Sequence, residues 1–263
     1  MNTIFPIAYV VWLGLWRRKD AYVLLILMGA MLLVLSSLNV FGLGGKVVYI
    51  ADIGLVLTWL FSALLAVQIM ARELPAEQSR GTIHVLLAKP VTRFALVLGK
   101  WLGAWAAVSV ATLVFYGTVA VLVYARGGHL PGPATAQALG LHITALAIIT
   151  AITLIFSTRM NHDAAAAISL ILTGAAFLVI PRIPEFVTSE TGFTAGVMLV
   201  LYHALPHFEL FDLRQWIIHD FGMVAWPVYT QILLYGLAWI TGCILVAWMT
   251  FRRRHFSRGD RML

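Results

Sequence analysis

Charge is scarce in this chain. Only 11% of its 263 residues are Asp, Glu, Lys or Arg, against roughly 25% in an ordinary soluble domain. With 61% hydrophobic residues and a mean hydropathy of +0.92, a solvated globule is excluded. Cysteine is nearly missing: Cys243 is the sole one. One thiol closes no disulfide within the chain and builds no cysteine-based metal site. Alternating ten-residue strands, the mark of a membrane β-barrel, are missing. No cleavable signal peptide is evident, because no basic region precedes the first apolar stretch and a charge cluster follows it. Internal repeats and low-complexity tracts are not seen either.

Long apolar runs are what the chain has instead. A bilayer core of about 30 Å takes about 20 apolar residues of helix. Windows near 21–41, 53–71, 101–125, 137–158, 164–181 and 228–250 meet that need. The expectation is an all-α integral membrane protein, one domain over 1–263 with six spans. Lys and Arg orient it. Six spans put both termini on one side, and that side then holds fourteen of the 18 basic residues. The other side holds Lys46, Arg126, Arg182 and Arg214. The acids divide almost evenly. By the positive-inside rule the crowded side is cytoplasmic. The pI near 9.9 follows from those loops and implies no nucleic-acid partner.

Two apolar segments are too short to cross. Segment 4–16 carries Ile4, Ala8, Val11 and Leu15 at helical spacing, with Trp12 and Trp16 one turn apart. Arg17-Arg18-Lys19-Asp20 ends it, so it reads as a helix lying in the cytoplasmic interface. Segment 191–206 ends at Pro206. It reads as a re-entrant or interfacial helix within the external region 182–220. Making it a seventh span would carry Arg252 to Arg254 outside. Asn39 to Asp52, with Gly42, Gly44 and Gly45, reads as an external turn. Arg126 to Pro133 reads as a tight external loop, and Ser157 to Asp163 as a short cytoplasmic one.

Reactive chemistry is hard to assemble from what remains. Gly42-Leu-Gly-Gly-Lys46 is rich in glycine, but Val40 and Val47 stand where a phosphate loop needs Gly and Ser or Thr. His203, His207 and Glu209 lack the zinc-protease pattern, and Pro206 interrupts any shared helix face. They read as an interfacial polar fringe. His142, alone in an apolar span, reads as a satisfied or pore-facing side chain rather than a cofactor ligand. Glu185, Glu190, Glu209 and Asp212 read as a solvated acidic face. The cores of the windows contain no Asp, Glu, Lys or Arg. This argues against a proton- or ion-coupled secondary transporter, because such carriers hold the ion on intramembrane charge. An integral-membrane enzyme of lipid metabolism would need a polar catalytic cluster with usable spacing, and none is visible. No catalytic, metal or cofactor residue is expected in this chain.

The stretch 72–100 is the long basic region between two spans. Within it Ile83, Leu86, Leu87 and Pro90 follow an i, i+3, i+4, i+7 pattern after Gly81-Thr82. Thr82 can cap a short helix and Pro90 can stop it, with Arg80, Lys89 and Arg93 at its flanks. Such a helix either rests on lipid headgroups or docks on a cytosolic partner.

These residues resemble the permease subunits of the type-two export class of ABC transporters. The family pattern is an acidic residue after the second span, Gly-Thr, a Leu-Leu pair, then Pro-Val-x-Arg and Gly-Lys. Here these are Glu73, Gly81-Thr82, Leu86-Leu87, Pro90-Val91 with Arg93, and Gly99-Lys100. Leu205-Pro206, Phe208, Leu210-Phe211-Asp212 and Arg214 are similar to an external segment of permeases linked to multicopper-enzyme maturation and gliding motility, with His207 where Asn is usual. Phe251 to Phe256 resembles the common tail of those permeases, with His255 replacing Asp. The resemblance implies a six-span permease that works as a dimer with a second copy or paralogue, in the lipid of a bacterial inner membrane. It implies two cytosolic ATPase subunits, which bind the ATP and Mg. It implies that Glu73, Gly81, Thr82, Ile83, Leu86, Leu87, Pro90 and Arg93 couple to them. Pro206, Phe208, Phe211, Asp212 and Arg214 would form an external gate.

Overall fold

The computed structural model describes residues 4–16, 26–27, 29–31, 46–79, 92–189 and 192–253. Every regular element among them is helical. Helix α1 is Ile4–Trp16, α2 Lys46–Ser79, α3 Arg93–Ala125, α4 Gly132–Ser157 and α5 His162–Leu178. A 3-10 turn, Ile180–Arg182, leads into α6, Ile183–Ser189. Then come α7, Phe193–Ala204, a second 3-10 turn at Phe208–Phe211, α8, Arg214–Ile218, and α9, Trp226–Arg252. Five helices are long and apolar enough to cross a bilayer: Val47–Glu77, Arg93–Ala125, Gly132–Ser157, His162–Glu185 and Trp226–Arg252. They cover five of the six expected windows, save Thr158 at the end of 137–158. The sixth, 21–41, lies almost wholly outside the described residues, although Ile26, Leu27 and Met31 are helical.

Two expectations are corrected. Residues 46–52 are not a turn: they open α2. The stretch 72–100 is not one region between spans, because α2 runs on to Ser79 and α3 begins at Arg93. Hydropathy windows stop at charge, whereas a helix continues for as long as its backbone ladder is intact. Pro75 sits inside α2 near its end. Helix α7 has 12 residues, roughly 18 Å of rise, too short to span. It stops at Ala204, and Leu205 before Pro206 is extended at φ −112°, ψ 149°, as the proline ring demands of its predecessor. Asn161 caps α5 by accepting from the backbone N–H of Ala164 at 3.0 Å.

Helices α2 and α4 form the middle of the bundle. Both have two-thirds of their most apolar stretch buried, against about a third or less for α3, α5 and α9. In α4 every residue from Ala145 to Leu154 is buried. An apolar surface all round the helix suits that central place. Its threonines do not disturb it, since Thr150 and Thr153 donate to the carbonyls of Leu146 and Ile149, four residues back. Trp101 and Trp105 of α3 stack at 5.5 Å and donate their indole N–H groups to the backbone carbonyls of Ala147 and Ile143 on α4.

Helix α1 lies on α3 across Gly99 and Gly103. A Cβ at Gly103 would come within 2.7 Å of both the Ala8 carbonyl oxygen and Val11 Cβ. This is a small-xxx-small contact, in which the missing side chains let two backbones approach. Gly103→Leu is therefore expected to lift α1 off the bundle. With Cys243 changed to Ala, spin labels at the exposed positions Tyr9 and Val110 report it. The parent gives a narrow distance distribution and the variant a broad one.

Candidate coupling and gating sites

The chain alternates between two ends of the bundle. At one end, Arg93 at the start of α3 donates to the carbonyls of Phe251 and Arg252 at 3.4 and 2.7 Å. Arg159, after α4, donates to Thr250 at 3.3 Å. Two guanidinium groups thus satisfy carbonyls that the last turn of α9 leaves open, and place positive charge at the negative end of its dipole. Arg72 and His162 meet nearby at 3.1 Å. This basic end gathers residues that charge counting assigns to one side.

One buried cluster dominates it. Lys100, 4% exposed, sends its ammonium to Glu73 Oε2 at 3.0 Å and Glu77 Oε1 at 2.8 Å. Glu73 is itself 3% exposed. The two carboxylates are four residues apart, hence on one face of α2, and a single lysine about two turns into α3 reaches both. This ties α2 to α3 at the point where 80–91 joins them. Of the expected coupling residues, Glu73 and Arg93 are thus placed, and both face inward to other helices. Gly81, Thr82, Ile83, Leu86, Leu87 and Pro90 lie outside the described residues. Sequence reading missed the ion cluster. The available signal was a lone Lys just inside a span, opposite Glu at i and i+4 at the end of the span before.

The other end holds the second set. Pro206, Phe208 and Phe211 are buried, the two phenylalanines completely. Phe211 lies against Gly236 of α9, where a Cβ would come to 3.1 Å from its ring. His207 is held by Tyr235, whose hydroxyl accepts from the His207 backbone N–H and meets Nδ1, both at 3.1 Å. Arg214 Nε bonds both oxygens of Asp212, at 2.9 and 2.7 Å. Asp212 therefore does not belong to a solvated acidic face: it is mostly buried and neutralised by its neighbour. Gln137 of α4 spans the backbone of Val224, donating to its carbonyl at 3.0 Å and accepting from its N–H at 2.9 Å. The segment 205–224 is thereby seated in the end of the bundle, while α7 has no buried residue at all.

His203 and His207 do not converge. His203 Nδ1 is engaged by the Leu199 carbonyl at 2.8 Å and His207 by Tyr235. Among the described residues no cluster of His, Cys, Asp and Glu could hold a metal. His142 is satisfied, as its isolation in an apolar span requires. Its ring stacks on Trp59 at 4.0 Å and 4°. Nε2 lies 2.8 Å from Ser62 Oγ and Nδ1 lies 3.3 Å from the Tyr116 hydroxyl. Ser62 donates to the Trp59 carbonyl. The tautomer with hydrogen on Nε2 then satisfies every group: imidazole to Ser62, Ser62 to Trp59, Tyr116 to Nδ1.

The side chains described at the two ends tie helices together and seat the segment 205–224. Residues 47–256 match the sequence model of the ABC-2 family transporter protein. The chain belongs to that family. No match was found among the curated proteins. As a member of the ABC-2 family with five membrane-capable helices, it is a multi-pass membrane protein of a transporter.

Proposed function

We propose that this chain is the permease subunit of an ATP-driven ABC transporter. It is non-catalytic, and ATP and Mg are bound by two cytosolic ATPase subunits on separate chains. It pairs with a second permease copy or paralogue in the bacterial inner membrane, with both termini cytoplasmic. The observation that carries this reading, given the family, is the Lys100 cluster at the base of α2 and α3. Segment 80–91 is tethered at both ends to that base. A helix over Ile83–Pro90, docked on an ATPase, would push α2 and α3 as one unit when the ATPase dimer closes. The far end would respond through the seated segment. There Pro206, Phe208, Phe211, Asp212 and Arg214 form the external gate with the dimer mate. The 205–214 and 251–256 segments favour the branch linked to multicopper-enzyme maturation and gliding motility, and the work done is export or mechanical transmission.

Leu86→Asp tests the coupling. An unpaired carboxylate in a dry contact is costly, so ATPase subunits should no longer co-purify while membrane insertion stays normal. A variant that keeps full permease-stimulated ATP hydrolysis would leave this helix without the proposed role. Orientation is tested by reporter fusions. Those after Arg159 and Leu263 should report cytoplasm, and those at Gly128 and Glu190 the exterior. An exterior report at Leu263 would overturn the six-span arrangement.

A further inference from the structure

Ser169 and Thr173 of α5 differ from the other buried hydroxyls of the bundle. Every other buried Ser or Thr among the described residues donates to a backbone carbonyl three or four residues back, as Thr58 does to Gly54 and Thr112 to Val108. That bond satisfies a hydroxyl on its own helix. Ser169 and Thr173 do not make it. Ser169 is fully buried and Thr173 is 8% exposed. Among the described residues neither hydroxyl has a hydrogen-bond partner. A buried hydroxyl left in that state is costly, and in folded proteins such groups are met by protein or by ordered water.

Their place in the fold selects the occupant. His162, Ser169, Thr173 and Phe177 fall at i, i+7, i+11 and i+15, which is one face of α5. Both ends of that face lie on α2: His162 meets Arg72 at 3.1 Å, and Phe177 packs on Trp59 with ring centroids 5.5 Å apart. The two hydroxyls therefore lie in the seam that α5 makes with the middle of the bundle. Ala165, Ala166 and Ala176 on the same face are buried and small. From Ala164 to Phe177 there is no acid, histidine or cysteine, so the pair has no charge with which to hold a metal ion. Residues four apart on a helix keep their Cβ atoms about 5–6 Å apart. One oxygen at about 2.8 Å from each hydroxyl bridges that span. We propose that Ser169 Oγ and Thr173 Oγ1 bind one buried water. The two hydroxyls give it the minimum of partners that a buried water takes. Beyond His162, α5 makes no side-chain hydrogen bond to another helix among the described residues. Most of α5 is thus joined to the bundle by apolar packing and this water, whereas Trp101 and Trp105 bond α3 to α4 directly.

The sign of an isosteric change tests this. Removing a stranded hydroxyl stabilises a core, whereas removing one that holds a water takes a partner from that water. Thr173→Val keeps the shape of the side chain, and Ser169→Ala deletes one oxygen. Unfolding midpoints of the parent, both single variants and the double variant are measured in mild detergent. Each single variant should lower the midpoint. The double variant should lower it by less than the two shifts added together, because both hydroxyls serve one molecule. A midpoint raised by Thr173→Val, or two shifts that simply add, overturns the proposal. A density map of the whole transporter, at a resolution that shows water, gives a direct readout. Density within about 3 Å of both oxygens in the parent, gone in Thr173→Val, supports the proposal. Hydroxyls turned back to the carbonyls of Ala165 and Ser169, with no density between them, overturn it.

Discussion

Replacing Lys100 by Met is expected to lower the unfolding free energy by about 3–5 kcal/mol, the usual result of removing one member of a buried ion cluster. The cause is the company it keeps. Glu73 and Glu77 face one ammonium at 3.0 and 2.8 Å, and Glu73 is almost wholly buried. Without the cation, two carboxylates share one face of α2 next to apolar α3. Each loses the ammonium that faces it, and Glu73 loses it while buried. Thermal unfolding in mild detergent checks this. The combination of Lys100→Met with Glu73→Gln and Glu77→Gln removes the charge altogether and should recover most of the loss, because a neutral replacement carries no stranded charge. The recovered variant is the informative one for transport. It should still assemble with ATPase subunits, but with the ionic tie between α2 and α3 gone it should stimulate hydrolysis poorly. A Lys100→Met protein as stable as its parent would remove the cluster from any structural account.

The second large effect belongs to His142. His142→Ala should destabilise the bundle by about 3–5 kcal/mol, in the range of large-to-small core changes. His142→Phe should cost less, about 1–3 kcal/mol, the penalty for a buried polar group left without its partner. The difference follows from the geometry. Phenylalanine keeps the parallel stack on Trp59 but gives no acceptor to the Tyr116 hydroxyl. Ser62 still donates to the Trp59 carbonyl, so it is harmed less. Alanine loses the stack as well and leaves a void where α2, α3 and α4 meet. Unfolding midpoints of the two variants, compared with Tyr116→Phe, check the order. If alanine and phenylalanine are equally harmful, the stack on Trp59 contributes nothing.

Much of the fold was legible because lipid leaves few choices. Backbone groups must be satisfied within a segment, so a long apolar run is a helix. That is why the windows from 53 onward lie on α2, α3, α4, α5 and α9, running past a helix end by three residues at most, and why α7 stops just before Pro206. What the sequence hid are contacts between distant positions. His142 finds Ser62 80 residues away, and Lys100 finds Glu73 across 27. No local periodicity encodes these meetings. The complete burial of Phe208 and Phe211 was hidden for the same reason, since their positions in the chain say nothing of the helices that cover them, such as α9 at Gly236. The ends of α2 were misjudged because Lys46, Arg72 and Glu73 look like loop residues to a hydropathy measure, although none of them breaks a helix.

Pro75 gives the ion cluster a mechanical meaning. Proline has no N–H to offer the carbonyl four residues back, and its ring crowds that carbonyl. A helix is most easily flexed at such a point. In α2 this weak point falls between Glu73 and Glu77, and Lys100 holds one carboxylate on either side of it. The ammonium is thus a splint laid across a joint. While both arms are held, a force arriving from Ser79 is delivered along the whole length of α2. If Glu77, the more exposed arm, lets go, the same force bends the last turn and goes no further.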